Sequence, residues 1–174
     1  MRPATSPTYK QRFAALFGMH SRSREAVDMQ VRESIEITAP PEPIWPLLVE
    51  PDNVLEWYPT LRRFQYEDAG RRGPGARVYA EEKASGMLMK LHFVISEWVE
   101  NRVLALHMTA GTGVKGYDQR WAVEPLPAGS RFTFEEQVEL PYGALGRLIG
   151  KVGRRSSEGH VREMLAKLKA LAEA

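Results

Sequence analysis

The chain has 174 residues, a length that favours one domain able to bury a core without staples. Hydrophobic residues make up 43% and charged residues 26%, as in ordinary soluble globular proteins, and a net charge of +2 is too small to argue for nucleic acid. The absence of cysteine excludes disulfides, thiolate metal sites and cysteine nucleophiles. No apolar run approaches the roughly 18 residues of a membrane span, and the opening MRPATSPTYKQRF lacks the apolar centre of a secretory signal. A cytoplasmic location is therefore the expectation.

Residues 1–30 read as an arm separate from a domain at 31–174. Tyr9 to Met19 has Phe13, Leu16 and Phe17 at helical spacing, followed by a charged linker, Arg22 to Glu25. The segment fits a loose terminus, a helix docked on the body or a partner, or a weak membrane-surface helix. Val31 to Ile37 alternates and predicts a half-buried strand with Val31, Glu33, Ile35 and Ile37 on one face. Three prolines in Thr38 to Pro43 take the chain out of the sheet. Ile44, Leu47 and Leu48 then follow helical spacing, with Pro46 expected in the first turn and Pro51 closing the segment. Asp52 is placed to cap a second short helix, Asn53 to Trp57, stopped by Pro59.

Strands are then expected at Phe64–Glu67, Ala76–Glu82, Met89–Trp98, Val103–Met108 and Tyr117–Glu124, with a last one carrying Phe132, Phe134, Val138 and Leu140 on one face. Turn signals separate them: the Gly70–Gly75 cluster, Ser85-Gly86 and Leu126–Gly129. The alternation puts Leu91, Phe93 and Ile95 together, Leu104, Leu106 and Met108 together, and Tyr117, Gln119, Trp121 and Val123 together. This is an antiparallel meander, apolar on one side. A helical stripe closes the chain, from Leu145, Leu148, Ile149 and Val152 to Val161, Met164, Leu165, Leu168 and Leu171. Gly143, Gly146, Gly150, Gly153 and Gly159 weaken its first half or serve a close approach to the sheet. The fold class is α+β: a curved antiparallel sheet wrapped around a long C-terminal helix, with two short helices after the first strand and an apolar cavity inside.

Several phrases resemble one family. VRESIEITAPPEPIWPLL, with Ala39, Pro40, Ile44 and Trp45, resembles the first strand and helix of the START-like helix-grip (SRPBCC) superfamily, in its polyketide cyclase/dehydrase and lipid-transport branch. Trp57-Tyr58-Pro59, the GSRFTF phrase at Gly129 to Phe134 and the MLAKLKALAE ending are similar to its other phrases, so the likeness covers residues 31 to 173. It implies the helix-grip fold. For function it implies a carrier, a cyclase or a hydroxylase subunit without choosing among them.

Among chemistry-bearing residues, Gly111-Thr-Gly113-Val-Lys-Gly116 spells G-x-G-x-x-G, but the period-2 segment after it removes the helix a dinucleotide site needs, and it reads as an inter-strand loop. His20, His92, His107 and His160 lack metal-ligand spacing, and His92 and His107 fall on the outer faces. Glu136 shares parity with Phe132, Phe134 and Val138, so an unbroken strand points it inward. It would then be a polar anchor for a ligand or a general acid/base with a raised pKa, the candidate catalytic residue; a bulge turning it outward, or a bond to Gln119, would make it structural. A four-residue loop at Leu126–Gly129 sets Gln119 opposite Glu136, whereas a two-residue loop at Ala128-Gly129 sets Trp121 there. Glu33 poses the same question near the start of its strand. The candidate ligand-binding set is Trp57, Leu91, Phe93, Leu106, Met108, Gln119, Trp121, Phe134, Glu136, Leu148 and Val152. Lys151, Arg154 and Arg155 form a basic cluster, either a solvated face or a contact for acidic lipid headgroups. The expected function is binding or carriage of a lipophilic small molecule (lipid, isoprenoid or polyketide-like), without cofactor, metal or nucleic acid. The alternatives are a cyclase/dehydratase using a cavity carboxylate, and an interaction module with a vestigial cavity.

Overall fold

The structure is a computed structural model. It describes the backbone of residues 29–84, 86–140 and 143–174, and the side chains of 29–83, 86–140 and 157–174. The N-terminal arm and its Tyr9–Met19 stripe lie outside the described residues.

Strand β1 (Met29–Ile37) leads into helices α1 (Pro41–Val49) and α2 (Pro51–Trp57). The sheet continues with β2 (Leu61–Tyr66), β3 (Arg77–Ala84), β4 (Met87–Val99), β5 (Val103–Gly111), β6 (Gly116–Leu126) and β7 (Gly129–Glu139), and helix α3 (Gly143–Ala172) ends the chain. All strand pairs are antiparallel, in the order β1-β7-β6-β5-β4-β3-β2, so the first strand joins the last and the rest is a meander. The expected element order and antiparallel sheet closed by a C-terminal helix are the observed ones.

Local differences have physical causes. Helix α1 starts earlier than the apolar spacing suggests, because Pro41 and Pro43 occupy its first turn, where missing N–H groups lose nothing. Pro46 therefore lies in the second turn rather than the first. Its carbonyl stays useful, accepting bonds from Glu50 N–H (3.1 Å) and Asn53 Nδ2 (3.2 Å). Pro51 opens α2 instead of closing α1; Glu50 is its N-cap and Asp52 makes no side-chain cap. Strand β2 begins at Leu61, three residues earlier than expected, with a register shift between Leu61 and Arg63. In β4 a shift between Ile95 and Glu97 turns the alternation over, so Trp98 packs edge-on to Trp45 at 5.2 Å.

The concave face holds the core. Ile37, Leu91, Ile95, Leu104, Trp121, Phe132 and Phe134 are almost wholly buried there. Helix α3 covers it with Val161, Met164, Leu165 and Leu168, all buried and on one helical stripe. Polar bonds to β1 and the turn after it fix the helix. Arg162 Nη2 reaches Glu33 Oε1 at 2.9 Å, Lys169 Nζ donates to Glu36 O at 2.8 Å, and Glu173 Oε1 accepts from Thr38 N–H (2.6 Å) and Thr38 Oγ1 (2.8 Å). Glu33 is thus answered by an arginine of the helix.

Candidate functional site: a buried carboxyl pair on the concave face

The β6–β7 register decides the orientation of Glu136. Leu126 pairs with Gly129 around a tight Pro127–Ala128 turn, and the ladder runs unbroken through Val123–Phe132, Trp121–Phe134 and Gln119–Glu136. Without a bulge, period 2 carries Glu136 to the concave face, where it is 7% exposed. Gly129 holds this turn at φ +129, against the Ile37 carbonyl, where a Cβ has no room. The residue that starts β7 so tightly thereby sets the direction of a carboxylate seven residues later.

A second carboxylate meets it. Glu82, on β3, follows Val78 and Ala80 on the inward parity and is likewise 7% exposed. In the sheet β3 and β7 are separated by β4, β5 and β6, a flat distance of roughly 19 Å at the usual strand spacing. Curling brings the two together: Tyr117 Oη lies 3.2 Å from Glu82 Oε2 and 3.0 Å from Glu136 Oε2. Around them, Thr60 Oγ1 donates to Glu82 Oε1 (3.1 Å) and Tyr58 Oη approaches the same oxygen at 3.4 Å. Gln119 Nε2 donates to both phenols, Tyr58 at 2.9 Å and Tyr117 at 2.7 Å. Gln119 and Glu136 therefore communicate through Tyr117.

Counting hydrogens gives a protonation pattern that satisfies the contacts to Tyr117. A phenol has one proton, so Tyr117 donates to one carboxyl only. The other short contact is satisfied when Glu136 keeps its proton and donates it to Tyr117 Oη. Tyr117 then donates to Glu82, which also accepts from Thr60 and Tyr58. Gln119 spends one hydrogen on each phenol, and one proton for two carboxyls satisfies these contacts. Electrostatics agree. Burial, then the neighbouring Glu82, push Glu136 from 4.5 up to about 7 against the opposing bond from Tyr117. Burial raises Glu82 as well, against its hydroxyl donors. Both tyrosines stand well above 10, through burial and the adjacent carboxylates, and remain phenols. No lysine, arginine or histidine pairs with either carboxyl among the described residues.

The expected aromatic wall divides. Trp57, Trp121 and Phe134 are buried but pack on one another and on Tyr58, Phe64 and Phe132, with ring centroids 5.2–6.3 Å apart. There the concavity is filled by protein. Leu91, Phe93 and Leu106 are buried on the same face, Phe93 edge-on to Tyr117 at 5.9 Å, and Met108 is half-buried. Leu148 and Val152 lie on α3, and their side chains, like those of Lys151, Arg154 and Arg155, fall outside the described ones. Trp57 Nε1 donates to Leu47 O at 2.7 Å, whereas Trp121 Nε1 is buried with no partner among the described residues. Tyr58, Thr60 and Glu82 are members of the site that the sequence reading passed over. The signal for Glu82 was the same parity that marked Glu136.

Elsewhere, strand β6 begins at Gly116, so the G-x-G-x-x-G string runs from the end of β5 through the β5–β6 loop to the start of β6, with Gly113 at φ +85. His92 bonds Glu67 (3.1 Å) and His107 bonds Asp118 (2.6 Å) away from the core. No helix among the described residues is long and apolar enough to cross a membrane.

A curled seven-stranded antiparallel half-barrel gripping its C-terminal helix, with polar groups set into an apolar concave face, defines a helix-grip α+β domain. The chain belongs to the polyketide cyclase/dehydrase and lipid transport family, whose model matches residues 28–173. No curated protein matches it. Among solved structures it is similar to TTHA0849 from Thermus thermophilus, at 20% identity and TM-score 0.69, covering 82% of this chain and 96% of that one. A START superfamily protein from Mycobacterium smegmatis is similar at 16% and 0.66, covering 82% and 98%. The Zhui aromatase/cyclase from Streptomyces is similar at 14% and 0.61, covering 82% and 90%. At these identities the likeness is one of fold.

Proposed function

We propose that the protein binds a lipophilic small molecule against its concave face and anchors a hydroxyl or carbonyl of that molecule at the Glu82–Tyr117–Glu136 cluster. The observation that carries this reading is the cluster itself. Two carboxyls with no cation beside them among the described residues are held where burial disfavours their charge, a costly arrangement in a core that apolar residues could fill. The residual 6–7% exposure of Glu82, Gln119 and Glu136 leaves the cluster within reach of a small group. Family membership supports a lipid- or polyketide-like ligand class. The test uses native mass spectrometry of freshly purified protein, and calorimetric titration with 1-decanol against decanoate. At pH 8, where the pair carries more negative charge, the alcohol binds more tightly than the carboxylate, and Glu136→Gln narrows the difference. Equal affinity for both, unchanged by Glu136→Gln, counts against the reading.

A second reading is favoured by the position of Glu136 near neutrality. A carboxyl that gives and takes a proton at pH 7, hydrogen-bonded to a phenol, suits proton transfer to a polyketide-like substrate. The fold likeness to an aromatase/cyclase supports that class. In that case Glu136→Gln removes turnover and leaves binding. In a carrier there is no turnover to lose.

A further inference from the structure

Large apolar side chains standing out in solvent include Met87 and Leu88, 51% and 45% exposed, adjacent at the β3–β4 turn. The β5–β6 loop is tied to the same place. Thr112 N–H donates to Lys90 O and Thr112 Oγ1 accepts from Lys90 N–H, both at 3.0 Å. A Cβ on Gly113 would lie 3.1 Å from Met87 Cε. The two loops therefore form one tip, to which the second adds half-buried Val114.

The charges on this tip have one sign. Within residues 83–90 and 111–116 the charged residues are Lys83, Lys90 and Lys115, all exposed, with no acidic residue between them. None makes an ion pair among the described residues. Two carboxylates border the tip, and Glu139 Oε2 comes within 3.5 Å of where a Cβ on Gly116 would stand. Glu81, across from Lys90, accepts the Tyr79 hydroxyl at 2.7 Å, and Glu139 sits opposite Gly116.

We propose that this tip docks on an anionic lipid bilayer, with Met87, Leu88 and Val114 entering the headgroup boundary and the three lysines meeting lipid phosphates. A tip two loops wide offers little of the roughly 800 Å² per partner that a stable protein interface buries. A bilayer asks only for apolar side chains at its boundary and a cationic collar around them. The surface follows from the two loops alone, whatever occupies the concave face.

Flotation of the full chain with phosphatidylcholine vesicles, and with phosphatidylcholine/phosphatidylglycerol vesicles at a 7:3 ratio, tests this in low and high salt. The expected result is salt-sensitive binding to the anionic vesicles only. Neutralising Lys83, Lys90 and Lys115 to Gln weakens it by on the order of a hundredfold, at about fivefold per lysine. Met87→Ser with Leu88→Ser weakens it roughly tenfold or more. Val99→Ser, an equally exposed apolar residue at the far end of β4, leaves it unchanged. Circular dichroism confirms that each variant is folded. Absence of binding to the anionic vesicles in low salt overturns the proposal. So does binding that survives the tip substitutions, or a tip-dependent self-association without lipid.

Discussion

Glu136→Gln should stabilise the protein, and increasingly so as pH rises. In the wild type the folded state holds the Glu136 proton up to about 7, against 4.5 for an ordinary glutamate. Between those values the folded state binds more protons than the unfolded chain, so stability falls with rising pH. The loss is complete above about 7 and absent below 4.5. At about 1.4 kcal/mol per pH unit it amounts to about 3 kcal/mol. Glutamine keeps an N–H donor for Tyr117 and loses the ionisation, so the variant escapes the penalty. It also relieves Glu82 of a like charge. Urea unfolding followed by circular dichroism at pH 5, 6, 7 and 8 measures the effect. The gap between variant and wild type should open by about 3 kcal/mol from pH 4.5 to 8, or roughly 6–12 °C in Tm for a chain of this size. Other titrating groups largely cancel because both proteins carry them. A gap that stays constant with pH, or closes as pH rises, would refute the burial of an uncompensated carboxyl at this position.

Tyr117→Phe removes the hydroxyl both carboxyls share, so it should destabilise more at pH 8 than at pH 5 in the same unfolding series. Trp57→Phe leaves the Leu47 carbonyl without its 2.7 Å donor, whereas Trp121→Phe deletes an indole N–H with no partner among the described residues; urea titration should show Trp57→Phe costing about 1–3 kcal/mol more. Glu173 is held below the ordinary glutamate range by its bonds to Thr38, so the clasp is present above that range and is lost as pH falls through the lowered value. The Thr38 amide should show a hydrogen-exchange protection factor at pH 6 that falls in acid and disappears in Glu173→Ala. Gly129→Ala drives a methyl into the Ile37 carbonyl at a backbone angle alanine avoids, and should cost more than about 1 kcal/mol in thermal melts.

How far the sequence carried the structure depended on how far apart in space its signals had to act. Alternation is local, and it placed the inward residues of β4 through β7 correctly until the shift between Ile95 and Glu97, an irregularity without a composition signal. The helix boundaries failed at proline: Pro41, read only as taking the chain out of the sheet, and Pro51, read as closing a helix, both serve as first-turn residues. The inward parity of Glu136 was legible, but whether a bulge would turn it outward was not; one ladder, β6 with β7, decides that. Its partner was not legible. Glu82 announces its inward direction by the same period-2 rule, but that rule says nothing about distance across a sheet. With three strands between β3 and β7, adjacency of the two carboxyls is a property of curvature. Curvature is set by many residues at once, by bulges, the grip of α3 and the fill of aromatic rings at one end. A lone inward glutamate reads as either an anchor or an accident. Two inward glutamates sharing one phenol, with no cation beside them among the described residues, form a titrating device, and only the closing of the half-barrel makes them one.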